Sequence, residues 1–232
     1  MTAPGPAFIY QFYNFLLRLI FWRTCKVHVL NRELTRREGP WILASNHISH
    51  FDPPLLSNLS CHPVDWMAME ELFRNRIFAR LLYLVGTFPV KRGKADREAL
   101  RTALERLEQG RVVGIFPEGG IRDGERSVLE GAKIRPGLAL VTHQSEVPIV
   151  PCVVLGTDRL YNKKRWLFFS RTPIWVAFGE PIHPVEGRFL TARPVIESQL
   201  QEAFQSLKAE LIQQFSLGEE DLPKPPKQRM EE

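Results

Sequence analysis

The sequence predicts an α/β domain with a mainly parallel central sheet flanked by helices, preceded by an amphipathic, membrane-associating helix. Three observations lead there. Short apolar runs of strand length alternate with longer stretches of helical periodicity. Several runs stop abruptly in loops rich in glycine, proline and charge. The first 25 residues are far more aromatic than the rest. With 232 residues, 44% hydrophobic and 25% charged, the chain has material for one well-filled core, which excludes disorder as its main state. No stretch of about 18 residues is free of polar side chains, which excludes a multi-span membrane protein. Three divisions are expected: a membrane-associating segment over 1–25, the α/β domain over 26–216, and a loose polar tail over 217–232.

Taken in order, Ala7 to Trp22 reads AFIYQFYNFLLRLIFW. Gln11, Asn14 and Arg18 fall on one helical stripe, with Phe8, Tyr10, Phe12, Phe15, Leu16, Leu19 and Phe21 around the rest. The segment is short and interrupted for a span. Either it lies in a bilayer interface or it packs on the protein's own core. Lys26–Leu30, Trp41–Ser45, Val64–Met69, Thr87–Val90, Val112–Phe116, Val147–Leu155 and Ile174–Phe178 read as strands. Helices are expected after Pro53-Pro54, over Glu70–Val85, over Asp96–Gln109, within Gly131–Gln144 and over Pro194–Phe215. Ligands of such sheets gather beyond the carboxyl ends of the strands, so the loops after Ser45, Val90 and Phe116 are candidates for one site.

The first of these loops holds His47 and Asp52, four residues apart in between. A turn there brings a carboxylate to one imidazole nitrogen, fixing the tautomer and leaving the other nitrogen as a general base. That is the base half of a catalytic triad, and no serine or cysteine elbow supplies a nucleophile, so a substrate hydroxyl would serve. A helix-capping histidine beside a turn-forming aspartate is the plainer alternative. His47, His50 and Asp52 match no common zinc spacing, so no metal is expected. In the third loop, Glu118 with Gly119 and Gly120 allows close approach of a ligand to the main chain and suits binding of a hydroxyl. The basic run Lys91-Arg92-Gly93-Lys94 can hold a phosphate or be a solvated charge run.

The net charge of +5 and a pI near 9.3 favour an anionic partner. Nucleic acid is not expected, because basic residues are not interleaved with stacking aromatics. Cys25, Cys61 and Cys152 are odd in number and widely spaced, which fits a reducing compartment better than a disulfide framework.

Together these segments carry a resemblance. Asn46-His47-Ile48-Ser49-His50-Phe51-Asp52 resembles the N-H-x-x-x-x-D block of the glycerolipid acyltransferases. Gly86-Thr87-Phe88-Pro89-Val90-Lys91-Arg92-Gly93 resembles their second block, Phe116-Pro117-Glu118-Gly119 their F-P-E-G block, and Val147-Pro148-Ile149-Val150-Pro151 their fourth. The order agrees, over roughly residues 40 to 180. The resemblance implies acyl transfer from a thioester, acyl-CoA or acyl carrier protein, to the free hydroxyl of lysophosphatidic acid, with no cofactor. It implies His47 and Asp52 as the base, Arg92 with Lys91 on the phosphate, and Glu118, Gly119 and Gly120 around the glycerol. It further implies attachment to the cytoplasmic face of a membrane, monotopic or peripheral. The family continues F-P-E-G-T-R-S, whereas here Gly120-Ile121 precedes Arg122, so the arginine falls one place later, where the resemblance still implies a substrate-binding role on a phosphate. That departure motivates two alternatives: a different lysolipid or lipid acceptor, and a membrane-binding protein on an inactive acyltransferase scaffold.

Overall fold

The computed structural model describes residues 5–91, 96–162 and 171–231. Its seven strands are β1 (Cys25–Leu30), β2 (Trp41–Ser45), β3 (Val64–Met69), β4 (Phe88–Val90), β5 (Val112–Ile115), β6 (Ile149–Leu155) and β7 (Thr172–Phe178). They form one sheet in the order β1-β7-β6-β2-β5-β3-β4. All neighbours are parallel except β6 and β7, so β1 and β7 run against the other five. The central strands β2, β5 and β6 are buried at every position. Their uninterrupted apolar runs are what a parallel sheet covered on both faces requires.

Alternate residues of β2 divide between two cores. Ile42 and Ala44 face one side with Ala103 and Leu107 of α4 (Arg97–Glu108), Leu138 and Val141 of α5 (Pro136–Ser145), and Ile196, Leu200 and Phe204 of α6 (Phe189–Phe215). Trp41 and Leu43 face the other side with Phe21 of α1 (Ala7–Thr24) and Leu55 and Leu56 of α2 (Asp52–Leu59). Among the described residues the other two α-helices are α3 (Arg76–Leu84) and α7 (Pro226–Glu231). No described helix is long and apolar enough to cross a membrane.

Three elements differ from the sequence expectation. The helix expected over Glu70–Val85 is divided into a short 3-10 helix at Glu70–Phe73 and α3. Asn75 causes the break: its backbone is extended, and its Oδ1 accepts hydrogen bonds from the N–H groups of Ile77 and Phe78 at 3.0 and 3.1 Å, starting a new helix. The last long helix begins at Phe189 and carries Pro194 inside it. The tail is not loose. Residues 219–221 form a 3-10 helix, α7 follows, and Arg229 is buried with its Nε 2.6 Å from Oδ2 of Asp158. Asp158 is wholly buried, and a carboxylate there requires a cation beside it.

Gly114 in β5 sets the spacing near the site. A Cβ at Gly114 would fall 2.4 Å from Cε3 of Trp66, so the indole lies flat on bare backbone. Substitution Gly114→Ala is expected to cost about 1–3 kcal/mol of stability by overpacking, lowering the melting temperature by several degrees in a thermal-denaturation scan.

Candidate active site

The site is built at the carboxyl end of β2, where Ser45 gives way to Asn46 and His47. Asn46 is buried, and its side chain prolongs the pairing with β6: Nδ2 donates to the Val154 carbonyl at 2.9 Å, and Oδ1 accepts from the Val154 N–H at 2.8 Å. The chain can therefore leave the sheet at His47 with no backbone group of the neighbouring strand left orphaned. It returns as α2, whose first residue is Asp52, followed by two prolines that need no N–H donor partners there.

Asp52 is fully buried and receives four donors. Oδ2 lies 2.9 Å from Nδ1 of His47 and accepts the N–H groups of Ile48 and Ser49, both at 2.8 Å. Oδ1 accepts the hydroxyl of Thr157, which stands just beyond the carboxyl end of β6. An acceptor so surrounded by donors is a carboxylate, and its partner on the ring must be Nδ1–H. The lone pair of His47 then sits on Nε2, which makes Nε2 the available base.

Glu118 grips the same segment from the other side. Its Oε2 accepts the His47 N–H at 2.7 Å, and its Oε1 accepts the Ser127 hydroxyl and the Val128 N–H, both at 2.9 Å. The Arg122 N–H donates to the His47 carbonyl at 2.9 Å, so both backbone polar groups of His47 are held by the loop after β5. The imidazole is held flat as well. Phe116 stacks on it with ring centres 4.0 Å apart, and Trp66 stacks on Phe116 at 4.7 Å.

These contacts bring together His47, Asp52, Glu118 and Arg122. The sequence reading assigns Glu118 to a substrate hydroxyl. Instead its carboxylate is turned inward, only 4% exposed, with both oxygens engaged by the protein's own donors. It braces the base. Gly119 stands exposed at the turn, with φ +68° and its N–H bonded to the Phe116 carbonyl, while Gly120 is buried. Arg122 reaches the dyad with its backbone, and its Nη1 bonds to the Ile121 carbonyl. Lys91 lies at the same edge of the sheet but after β4, three strand spacings from β2, or about 14 Å. Its N–H bonds to Asp96 and its side chain is exposed. Arg92 lies outside the described residues.

Thr157, Ser127 and the Phe116–Trp66 stack carry no role in the sequence reading. Thr157 was within reach of the same rule that singled out the other loops, since it too follows a strand's carboxyl end. Ser127 has no sequence signal, because its contact with Glu118 depends on how the loop folds back.

This geometry coincides with what comparison with known proteins finds. The family described as Acyltransferase matches residues 26–155, more than half of the chain. The chain belongs to the acyltransferase family. It is 23% identical over 201 residues to the 1-acyl-sn-glycerol-3-phosphate acyltransferase of Bacillus subtilis, covering 86% of this chain and 96% of the relative. It is 30% identical over 161 residues to the lyso-ornithine lipid O-acyltransferase of Pseudomonas aeruginosa, covering 64% and 61%. Among solved structures, the 1-acyl-sn-glycerophosphate (LPA) acyltransferase PlsC of Thermotoga maritima shares the fold, with a TM-score of 0.63 at 24% identity over 87% of this chain and 78% of that one.

Burial pushes the Glu118 carboxyl of this acyltransferase up from 4.5 to about 7. The bonds from Val128, His47 and Ser127 pull the other way, and the nearby charge of Asp52 adds to the rise. A folded-state value above the unfolded one means that its contribution to stability is complete below about pH 4.5 and is lost as pH rises through 7. The loss is about 3 kcal/mol across that window. Denaturant unfolding of the native protein at pH 4.5 and pH 8, set against the same pair for Glu118→Gln, is expected to show the wild type losing more stability by that amount.

Proposed function

We propose that the protein transfers a fatty acyl group from a thioester, acyl-CoA or acyl carrier protein, to the free hydroxyl of lysophosphatidic acid, giving phosphatidic acid. The observation that carries the reading is the His47–Asp52 pair, with Nδ1 committed to the carboxylate and Nε2 left as the base. Nε2 takes the hydroxyl proton as the oxygen attacks the thioester carbonyl. The tetrahedral intermediate collapses with loss of the thiolate, which recovers the proton from the imidazolium. Asp52 stabilises that imidazolium, and Phe116 keeps its ring in plane. No enzyme nucleophile enters. Lys91 follows the short edge strand β4 at the same edge of the sheet, and in this reading Lys91 and Arg92 hold the acceptor's phosphate. Arg122, whose backbone N–H bonds to the His47 carbonyl, is a further cation for that phosphate. The names of the Bacillus subtilis and Thermotoga maritima relatives support the acceptor.

A lyso-ornithine lipid is the second acceptor to consider, favoured by the 30% identity to the Pseudomonas enzyme and by the displaced Arg122. Labelled acyl-CoA and acyl carrier protein offered with a panel of lysolipids separate these readings. Phosphatidic acid is the expected product. Acylation of a different lysolipid alone overturns the acceptor, and no transfer to any overturns the enzyme reading. His47→Ala is expected to lower turnover by at least about 100-fold while leaving the circular dichroism spectrum unchanged. A protein that only binds lipid on this scaffold would be indifferent.

The acceptor lies in a bilayer, and the surface suits one. α1 has two unlike sides. Tyr10 and Phe21 are buried, and the Tyr10 hydroxyl accepts the Val64 N–H at 3.1 Å, while Phe8, Phe12, Phe15, Leu16, Leu19, Ile20 and Trp22 are exposed. Gly5 lies against Leu84, which joins this surface to α3. There Ile77, Phe78 and Leu81 are exposed beside Arg76 and Arg80, and neither arginine is ion-paired among the described residues. Apolar side chains rimmed by arginines match an anionic lipid surface, on which α1 and α3 rest without crossing it. Phe12→Glu with Trp22→Glu, and separately Arg76→Ala with Arg80→Ala, are expected to reduce co-sedimentation with phosphatidylglycerol vesicles. The arginine pair should leave binding to neutral phosphatidylcholine vesicles unchanged.

A further inference from the structure

We propose that segment 217–231 is a strap that positions the His47–Asp52 pair, acting through the short 3-10 helix Thr157–Tyr161. The inference rests on the reading of that pair as the catalytic base. The 3-10 helix touches the site loop at several points. The Thr157 hydroxyl donates to Oδ1 of Asp52, the His50 N–H donates to the Tyr161 hydroxyl at 3.1 Å, and the Tyr161 ring packs edge-on against Phe51. On its far side the same helix is fastened to the tail. Oδ2 of Asp158 accepts from Nε of Arg229 at 2.6 Å and from the Lys224 N–H at 3.0 Å. Arg159 donates from Nη2 to Oδ1 of Asp221 at 2.7 Å and to the Glu220 carbonyl at 2.9 Å.

Thr157 and Asp158 are consecutive, so one residue faces the base and the next faces the strap. Asp158 and Arg229 are 0% and 3% exposed. A buried ion pair is a poor source of stability, since desolvation offsets most of its attraction, but it fixes geometry. The Asp158–Arg229 pair is set apart from the reacting groups: the donors to Asp52 come from His47, Ile48, Ser49 and Thr157, whereas Asp158 accepts from Lys224 and Arg229. What it does is hold the backbone that aims the Thr157 hydroxyl. Thr157 and Arg229 are thus positioning residues. With Arg229 gone, the Asp158 carboxylate must find water or a proton, and the one-turn helix carrying Thr157 moves with it.

The test is a double-mutant cycle on the full chain with Thr157→Val and Arg229→Met. Each single change is expected to lower kcat by about tenfold, the worth of a hydrogen bond to a charged group, with KM unchanged. The double variant is expected to match Thr157→Val alone, since both remove the same hydrogen bond. Arg229→Lys, which keeps a cation beside Asp158, is expected to recover kcat. Asp158→Asn with Arg229→Met leaves no buried lone charge and serves if Arg229→Met does not fold. A second readout needs no activity: the Ile48 and Ser49 amides, which donate to Asp52, are expected to exchange with deuterium faster in Arg229→Met. Wild-type kcat in the folded strap variants overturns the proposal, as do multiplying losses in the double variant or unchanged exchange at Ile48 and Ser49. A wild-type protein that transfers no acyl group overturns the functional reading instead, and the exchange measurement then decides the strap by itself.

Discussion

A single buried carboxylate organises the working end of the molecule. Asp52 sits out of water with four donors pointed at it, from His47, Ile48, Ser49 and Thr157. A charge in that setting persists only if every donor stays in place, so each segment that supplies one is constrained. The site loop must leave β2 at His47 and re-enter as α2 at Asp52. β6 must end where Thr157 can reach. Asn46 maintains the β2–β6 spacing by replacing a backbone rung with its amide. The parallel sheet and the dyad are thus one construction: strand order sets which loops are neighbours, and the carboxylate draws them together.

Glu118 repeats the device with a different balance. Its three donors come from His47, Ser127 and Val128, and burial outweighs them, so its carboxyl rises to about 7 where burial and the charge of Asp52 act together. Two carboxylates therefore hold one short loop from opposite sides. Asp52 orients the ring of His47, and Glu118 and the Arg122 N–H hold its backbone. The Phe116–Trp66 stack supplies the remaining restraint, made possible because Gly114 leaves room for the indole. An imidazole fixed in both ring and backbone would have little left to reorganise on accepting a proton, which is the condition under which positioning contributes to rate.

The surface follows from the same economy of faces. α1 fills the core with Tyr10 and Phe21 and leaves a row of aromatic and aliphatic side chains outside, an arrangement unfavourable in water and favourable at a lipid boundary. α3, restarted by its Asn75 cap, adds a second apolar row with arginines at its margin. α1 leads directly into β1, whose first residue pairs with the first residue of β7, so the lipid-suited helix is anchored in the sheet that carries the site.

Local patterns determined a good deal of this protein. The apolar runs of Trp41–Ser45, Val112–Ile115 and Ile149–Leu155 are strands because only a doubly covered sheet can bury such continuous hydrophobicity. The His47–Asp52 spacing prescribes its own contact, since the two residues are joined by one tight turn. Tertiary structure decided whatever depends on groups distant in the chain. Glu118 looked outward to a substrate in the sequence and faces inward in the fold, because the loop at Ser127 and Val128 returns to bind it. The polar tail had no pattern of its own, yet it is ordered by Asp158, some 70 residues earlier, because a buried carboxylate needs a cation wherever the chain can supply one. Short-range geometry is written in spacing, whereas the pairing of buried charges is settled only when the sheet has brought the strand ends together.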